Sequence, residues 1–456
     1  MSDDAMQAED ICIENLRDCF EGAVPSAIAT CSPDGTPNIT YISQVQYVDR
    51  QHVALTFQFF NKTRQNILAN PMAMLTVADP FTGSRHRLKV RYLHTETSGP
   101  LFESMKAKLA GIASHTGMAD VFRLQGADLY RVESVDSFIS QVPSARRNKL
   151  SFLPKLREVI AQLNTCTDLN ELFDTALTLL NDKFAISHAM LLKLDEAGQC
   201  LFTMASRGYE TSGIGSEIPV GHGVIGVAAR ERTPIRISHM TSDYTYGKAV
   251  RESAEALGLQ HHLETAIPMP GLPESRSQMA VPILAGDSLY GVLYVESPQD
   301  LYFSYDDEDA LMLMAYQLGW TASGLTCMEA VADTPALSLA ERVMLPEGQR
   351  LQVRYFMADH SVFLNDDYLI KGVAGAIFWR LVSLYQQQQR NEFTNRELRL
   401  DASLNLPDLV DNLEARLVLL QRRLEEREAS VRIVKTGRGR FHLQVNQLLD
   451  LHCQDK

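Results

Sequence analysis

Cysteine is sparse and scattered in this sequence. The seven cysteines stand at 12, 19, 31, 166, 200, 327 and 453, none in C-x-x-C spacing, and their number is odd. That excludes a disulfide framework or a cysteine zinc site as the source of the fold and fits a reducing compartment. Long apolar runs are missing too: none reaches the length of a membrane span. The opening MSDDAMQAEDICIENLRDCFEG is acidic and amphipathic and lacks a signal peptide, so a cytoplasmic location is expected. Positive charge is in deficit. A net charge of −13 argues against a nucleic-acid coat or an anionic-membrane binder as a whole. No Ser–His–Asp or Cys–His order supports hydrolysis.

What is present is ordinary globular composition, 45% apolar and 22% charged over 456 residues. That length suggests about three domains. The stretch from Cys200 to Ser297 organises the middle. Leu201–Ser206 reads as a strand ending at Arg207-Gly208. Gly221, Gly223 and Gly226 break the next piece, and Val224–Arg230 then reads as a helix. Met279–Leu284 and Leu289–Glu296 are apolar strands joined by Ala285-Gly286-Asp287-Ser288. Apolar spacing over Asp306–Thr326 predicts a helix covering one sheet face.

The order SRGY, IPVGHGVIGVAARERTPIRIS, MAVPILAGDSLYGVLYVES resembles a GAF domain, the small-molecule sensory module, from about Leu150 to Thr326. The resemblance implies a six-stranded antiparallel sheet and a ligand pocket lined by Phe202, Met204, Tyr209, His222, Tyr244, Tyr246 and Tyr294. The cyclic-nucleotide motif N-K-x-F-x-D-E is missing, and Cys200 has no evident bilin-attachment context. The adjacent His261 and His262 have no carboxylate or cysteine partners at metal spacing, so no metal is expected. Before the sheet, Ser151–Thr165 and Asp168–Phe184 read as helices. Asp168 is the N-cap of the second, with Glu171 three residues on. Leu150, Leu153, Leu156 and Ile160 form one stripe. Leu169, Leu172, Phe173, Ala176, Leu177 and Leu180 form another, suited to packing under the sheet.

In the first part, Ile11–Phe20 reads as a helix. Ser26–Cys31, Thr40–Val48, His52–Phe59, Met72–Ala78, His86–Thr97 and Gly126–Glu133 read as strands, and Pro100–Ala113 as a helix. Lys62 and Arg64 open a helix whose free N–H groups could hold a phosphate, or simply form a solvated basic turn. ALTFQFFNKTRQNILANPMAMLTV, RLKVRYLHTETSG and FRLQGADLYRVESVD resemble the pyridoxamine 5′-phosphate oxidase-like split barrel. The resemblance implies FMN across a dimer interface, with Lys62, Thr63 and Arg64 on the phosphate, Gln58 and Phe59 beside the ring, and Arg91 from a neighbouring strand. The Arg/His substrate segment of that oxidase has no counterpart here. Some members of the superfamily hold haem or deazaflavin, or nothing; His86, His94 and His115 are the haem-ligand candidates.

In the last part, Gln349–Tyr355, Ser361–Leu364 and Tyr368–Lys371 read as strands, and Gly372–Arg390 as a helix. Thr394 and Glu397 form a capping box. A long helix from Pro407 carries Leu409, Leu413, Leu417, Leu420 and Leu424 on one face. Val431–Lys435 and Arg440–Val445 form a hairpin. FTNREL, DNLEARLVLLQRRLEE and VRIVKTGRGRFHL resemble the winged-helix output domain of response regulators, with no receiver domain in front. From Gln349 on, sixteen Lys and Arg face fourteen Asp and Glu, a net of +2. The implied DNA contacts are Arg416, Arg422, Arg423, Lys435, Arg438 and Arg440, with Arg432 also on the basic wing. Asp408, Asp411 and Glu414 oppose them in the half that would approach base edges.

The expected fold is α+β and multidomain. It comprises an N-terminal split β-barrel (1–141), a linker (142–149), a GAF α/β sandwich with an antiparallel sheet (150–328) and a winged helix-turn-helix (336–456). The expected function is a cytosolic ligand- or redox-responsive transcriptional regulator, more a sensor than an enzyme, working as a homodimer with no membrane partner. The alternatives are an FMN-dependent oxidoreductase regulated by its GAF domain, and a protein-binding scaffold.

Overall fold

The computed structural model describes residues 12–20, 24–58, 61–80, 82–115, 124–138, 152–195, 199–238, 267–331, 350–404, 413–437 and 439–454. A short 3-10 helix, Glu14–Phe20, precedes β1 (Ser26–Cys31), β2 (Pro37–Ile42), β3 (Val45–Tyr47) and β4 (His52–Phe57). Then come α1 (Lys62–Ala69), β5 (Met72–Ala78), β6 (Arg85–Glu96), α2 (Pro100–His115) and β7 (Gly126–Phe138). Strands β1 and β5 bury every second side chain, the parity of a sheet with one face on a core. The seven strands run β2-β1-β5-β6-β7-β4-β3, each pair antiparallel. Ile28, Val53, Leu75, Leu88, Val90 and Tyr130 fill this barrel-like sheet.

The single strand expected over Thr40–Val48 is instead two. Its halves, β2 and β3, lie at opposite edges of the sheet, so the chain must leave one edge to reach the other. Gln44, at the break, accepts the Thr56 N–H on its carbonyl at 3.2 Å and turns its side-chain amide to Gln46 at 3.3 Å.

The middle part contains α3 (Phe152–Leu163), α4 (Leu169–Phe184), β8 (His188–Leu194), β9 (Cys200–Arg207), β10 (Glu217–Pro219), α5 (Gly223–Glu231) and β11 (Ile235–Ile237). It closes with β12 (Ser277–Ala285), β13 (Ser288–Ser297) and α6 (Tyr305–Val331). The sheet is six-stranded and antiparallel, β10-β9-β8-β13-β12-β11. The Asp168 carboxylate accepts the Glu171 N–H at 2.9 Å, which fixes the start of α4. Glu171 reaches back one residue further than a capping box requires, to the Thr167 N–H at 2.7 Å. Every member of the α4 stripe is buried. The α3 stripe differs from expectation: Leu156, Val159 and Leu163 face inward, and Leu153 is 73% exposed. Helix α6 packs close on β12 because residue 319 is glycine; a Cβ there would sit 2.3 Å from the Leu284 carbonyl oxygen.

The last part contains β14 (Leu351–Phe356), β15 (Ser361–Leu364), β16 (Asp367–Ile370), α7 (Gly372–Gln388), β17 (Glu392–Thr394), α8 (Asn395–Leu400) and α9 (Leu413–Glu426). A hairpin of β18 (Val431–Gly437) and β19 (Arg440–Val445) and a final strand β20 (Leu449–Gln454) follow. The capping box at Thr394 and Glu397 is complete. Strand β20, which the sequence reading missed, pairs in parallel with β14 and completes the sheet β16-β15-β14-β20. The start of the long helix expected at Pro407 falls outside the described residues.

The three parts share cores. The helical side of the middle sheet and the interior of the last part form one continuous apolar cluster. The barrel core admits one residue from the middle part, Tyr305, at the start of α6. It is 3% exposed, and three cations pack on its ring: Arg236 at 4.3 Å, Arg17 at 4.8 Å and Lys108 at 5.0 Å. The Tyr47 N–H donates to its hydroxyl oxygen at 3.3 Å. Arg17 is paired with Asp309 and Arg236 with Glu308, each at 2.7 Å. Tyr305→Ala should therefore cost about 3–5 kcal/mol, the usual penalty for emptying an aromatic site. In denaturant unfolding followed by tyrosine fluorescence and far-UV dichroism, the barrel should separate into its own earlier transition.

Candidate functional site

Several of the barrel residues assigned to a phosphate already have protein partners. Arg64 lies over the Phe57 ring at 4.4 Å, ion-pairs with Asp128 at 2.6 Å and donates to Thr95 at 2.8 Å. Burial raises the Asp128 pKa, while Thr95 and Arg64 pull it back down. The Thr63 hydroxyl accepts from Asn38 at 2.9 Å, and Arg91 pairs with Glu133 at 2.5 Å. Gln58 is buried and donates to Ser43 at 2.7 Å. Lys62 is exposed at the start of α1, where the Asn61 side chain already takes the Arg64 N–H at 3.1 Å. Phe59 lies outside the described residues. Arg64 thus already holds a carboxylate, while Lys62 stays exposed. His86 is buried against Ser137 at 2.9 Å with its pKa lowered by burial, and His94 sits 3.6 Å from Glu96. The His115 side chain lies outside the described set.

The proposed pocket residues of the middle part divide between the two faces of the sheet. Tyr294 belongs to the cluster under α5, with Met190, Leu192 and Ala280, and Tyr209 packs against it. Met204 belongs to the opposite cluster, beneath α3, α4 and α6. Phe202 also turns away from the α5 side, and the Arg416 guanidinium covers its ring at 4.7 Å. This corrects the expected lining: strand parity separates Phe202 from Leu201, and a bulge between Leu191 and Leu192 shifts the register that follows. His222 is exposed at the N-cap of α5 with no side-chain cap bond; its carbonyl accepts the Gly226 N–H at 3.0 Å. Tyr244, Tyr246, His261 and His262 lie outside the described residues.

The α5-side face carries a polar row that the sequence reading missed. Gln278, Glu296 and His188 stand side by side on β12, β13 and β8, in direct register. Gln278 is 1% and Glu296 2% exposed. Glu296 accepts the Leu272 N–H at 3.1 Å and the Tyr294 O–H at 3.4 Å. Burial raises its pKa, with Tyr209, Ser275, Leu272 and Tyr294 drawing it back. His188 meets the Tyr209 ring edge-on at 5.5 Å, and burial lowers its pKa. Residue 208 must be glycine here: its φ is +90° and a Cβ would lie 2.1 Å from the Ser187 carbonyl. A signal for Glu296 was available, since it is two residues beyond Tyr294 and so shares its face. Strand β8 was overlooked because HAMLLKL follows a helix with no turn marker.

The C-terminal cations are placed differently from expectation. Helix α9 is buried on most sides, including Glu414 and Arg423. Arg422 donates to Asn170 at 2.6 Å and pairs with Asp174 at 2.8 Å. Arg423 donates to the Leu369 carbonyl at 3.0 Å, and burial lowers its pKa against the pull of Glu426. Lys435 lies 3.4 Å from Asp168 and 3.8 Å from Glu414. Arg440 pairs through its backbone with Thr394 and lines a 140 Å³ interdomain cavity together with Asp168, Glu414 and Lys435. Arg438 lies outside the described residues. In this arrangement Arg416 stacks on Phe202, and Arg422 and Arg423 bind protein groups.

A family profile for the GAF domain matches residues 166–320, and one for pyridoxamine 5′-phosphate oxidase matches residues 13–131. The chain therefore has a pyridoxamine 5′-phosphate oxidase-like N-terminal domain and a GAF domain. No curated protein matches it. Among solved structures, it is similar to the GAF domain of Acinetobacter phosphoenolpyruvate-protein phosphotransferase. The identity is 20%, with 41% of this chain and 99% of that chain covered, at a TM-score of 0.30. Free methionine-R-sulfoxide reductase from Neisseria meningitidis, in complex with its substrate, is 18% identical over 41% of this chain and 96% of its own, at 0.31. An FMN-binding protein from Syntrophomonas wolfei subsp. wolfei is 13% identical over 28% and 89%, at 0.23.

The sign of the Glu296 effect on stability follows from its raised pKa. The folded state holds the proton to higher pH than the unfolded chain, so stability falls as pH rises through that interval. Tyr209, Tyr294 and His188 are the titratable groups beside it. Glu296→Gln should unfold at a higher temperature than the parent at pH 8. That advantage should shrink on acidification and vanish below about pH 4, where the carboxyl is neutral in both states. Thermal melts across this range read the difference.

Proposed function

We propose that this chain, which joins a pyridoxamine 5′-phosphate oxidase-like domain to a GAF domain, is a ligand-responsive regulator. Its C-terminal unit is read as a winged helix, held against the GAF domain in the state described. The observation that carries this reading is the pairing of its cations with GAF acids: Arg422 with Asp174 and Lys435 with Asp168. Lys371 with Glu217 at 3.0 Å and Ser212 with Glu426 at 2.5 Å bind the same seam. Cations suited to DNA phosphates are turned to carboxylates, so docking and DNA contact exclude each other. A ligand that favours the undocked state would release them. The helix order α7, α8, α9 followed by the β18–β19 hairpin supports the winged-helix reading. FMN binding rests on the N-terminal family match, and the paired phosphate candidates weigh against a flavin oxidoreductase.

Asp168→Asn with Asp174→Asn keeps a good N-cap at 168 and removes both pairs. Surface pairs contribute about 0.2–1 kcal/mol each, so the undocked fraction should rise about two- to thirtyfold. Small-angle scattering should show the expansion, and gel shift of a random duplex at several salt concentrations should show stronger, salt-sensitive retardation. A variant that expands yet leaves DNA unretarded at low salt would sink the DNA reading and favour a protein partner.

Pairing of two copies is part of the proposal. Leu313, Tyr316 and Trp320 are exposed at 48%, 39% and 61% on one side of α6, with Leu153 on the neighbouring α3. This stripe at helical spacing suits a matching stripe on a second copy. Trp320→Glu with Leu153→Glu should convert dimer to monomer in sedimentation velocity without lowering the melting temperature.

A further inference from the structure

Alternation decides what the outer face of the barrel sheet presents. Strand β6 buries His86, Leu88 and Val90, so Arg85, Arg87, Lys89 and Arg91 all stand on the opposite side. The register carries that side across five strands. Tyr41, Ala27, Thr76, Arg87 and Asp136 form one row, and Ile39, Ala29, Met74, Lys89 and Ser134 form the next. The margins hold exposed rings: Tyr41 is 79% exposed on β2 and Phe138 52% exposed on β7. The floor between them is low, because Ala27, Ala29 and Thr76 are small.

Positive charge is concentrated here in a chain that is acidic overall. Over Arg85–Arg91 and Arg131–Phe138, five cations meet two carboxylates, Glu133 and Asp136. Glu133 is shared: it pairs with Arg91 at 2.5 Å and lies 3.9 Å from Lys89 and 3.7 Å from Arg131. Arg87 lies over the Phe138 ring at 4.5 Å, although Asp136 is its register neighbour. Alternate residues of a strand repeat at about 6.7 Å, so the four β6 cations make a straight track about 20 Å long. A second copy is a poor occupant, since isologous pairing through this face would bring two positive patches together. A flexible polyanion follows such a track, and unpaired bases along it have rings to lie on.

We propose that the outer face of the barrel sheet binds single-stranded nucleic acid. Phosphates run along Arg85, Arg87 and Lys89, and bases stack on Tyr41 and on the Arg87–Phe138 pair. Binding by phosphate and ring contact does not depend on base order. A duplex keeps its base faces stacked inside and offers the rings nothing. The inference is independent of the regulator reading, because none of these residues belongs to the GAF domain or to the C-terminal seam.

Fluorescence anisotropy of short labelled oligo-dT and oligo-rU with the full chain tests this. Both should bind at low salt, and more tightly than a duplex of the same length. Each phosphate neutralised on a single strand contributes about 0.7 to the slope of log K against log salt, so the triple variant Arg85→Thr, Arg87→Thr, Lys89→Thr should flatten that slope by about 2. The three positions are exposed, so its melting temperature should hold. The C-terminal cations are unaltered in that variant and cannot account for the lost slope. Tyr41→Ala should weaken oligo-dT by about fivefold or more and leave an abasic strand of equal length unaffected. No binding at low salt, an unchanged slope in the triple variant, or equal affinity for abasic strand and oligo-dT would overturn the proposal. Phosphatidylserine vesicles retained by the parent and not by the triple variant, with oligonucleotides unbound, would make the face a membrane contact instead. A monomer–dimer shift of the triple variant in sedimentation velocity, with oligonucleotide binding intact, would make it a contact between copies.

Discussion

Helix α9 is apolar on more sides than its own domain can cover. Leu413, Ala415, Leu417, Val418, Leu419, Leu420 and Leu424 are all buried, and they do not lie on one stripe. Helix α7 and the β18 hairpin cover part of the surface, and α4 of the GAF domain meets another part. A helix of this kind leaves water only if a second body closes on it. The merging of the GAF helical core with the C-terminal core into one cluster is the consequence. Glu414 and Arg423, polar residues on an otherwise apolar helix, are carried inside with it, and Arg423 meets two backbone carbonyls there.

The barrel is joined to the rest by a different kind of contact. Tyr305 opens α6 and enters the barrel core, so one residue ends one domain's helix and fills the other's interior. Its ring gathers Arg17 from the barrel's first turn, Lys108 from α2 and Arg236 from β11. Acidic residues on α6 balance Arg17 and Arg236, which keeps charges at this depth paired. A shift of α6 is therefore felt on both sides, since the same helix packs on β12 of the GAF sheet.

Between these two seams lies the sheet with its two unlike faces. One face packs a large apolar cluster under three helices. The other begins apolar beneath α5 and ends in the row of Gln278, Glu296 and His188. The energetic penalty of that row is held by a stable frame: its strands are central ones, β12, β13 and β8, flanked by others. Strained or under-satisfied polar groups persist in native structures where the surroundings over-determine them. The row therefore sits where the sheet is held on both sides by paired strands.

Much of the architecture was legible in the residues. Apolar runs set β12 and β13; the Thr394–Glu397 pair set a helix start; glycines marked the turns. These are local rules, and they hold wherever the neighbouring chain supplies a core. The face that each residue serves was less legible, because a single bulge in β9 moves Met204 to the side away from Tyr294. Least legible was pairing at a distance. Arg422 finds Asp174 across 248 positions, and Arg64 finds Asp128 across 64. By itself the sequence determined many local elements, since periodicity and turn chemistry act over a few residues, and its resemblances pointed to two of the modules, the pyridoxamine 5′-phosphate oxidase-like and GAF domains. Only the tertiary structure decided that Arg64, Arg91, Arg422 and Lys435 are already paired with carboxylates, because a charge seeks its partner in space and local pattern carries no record of that distance.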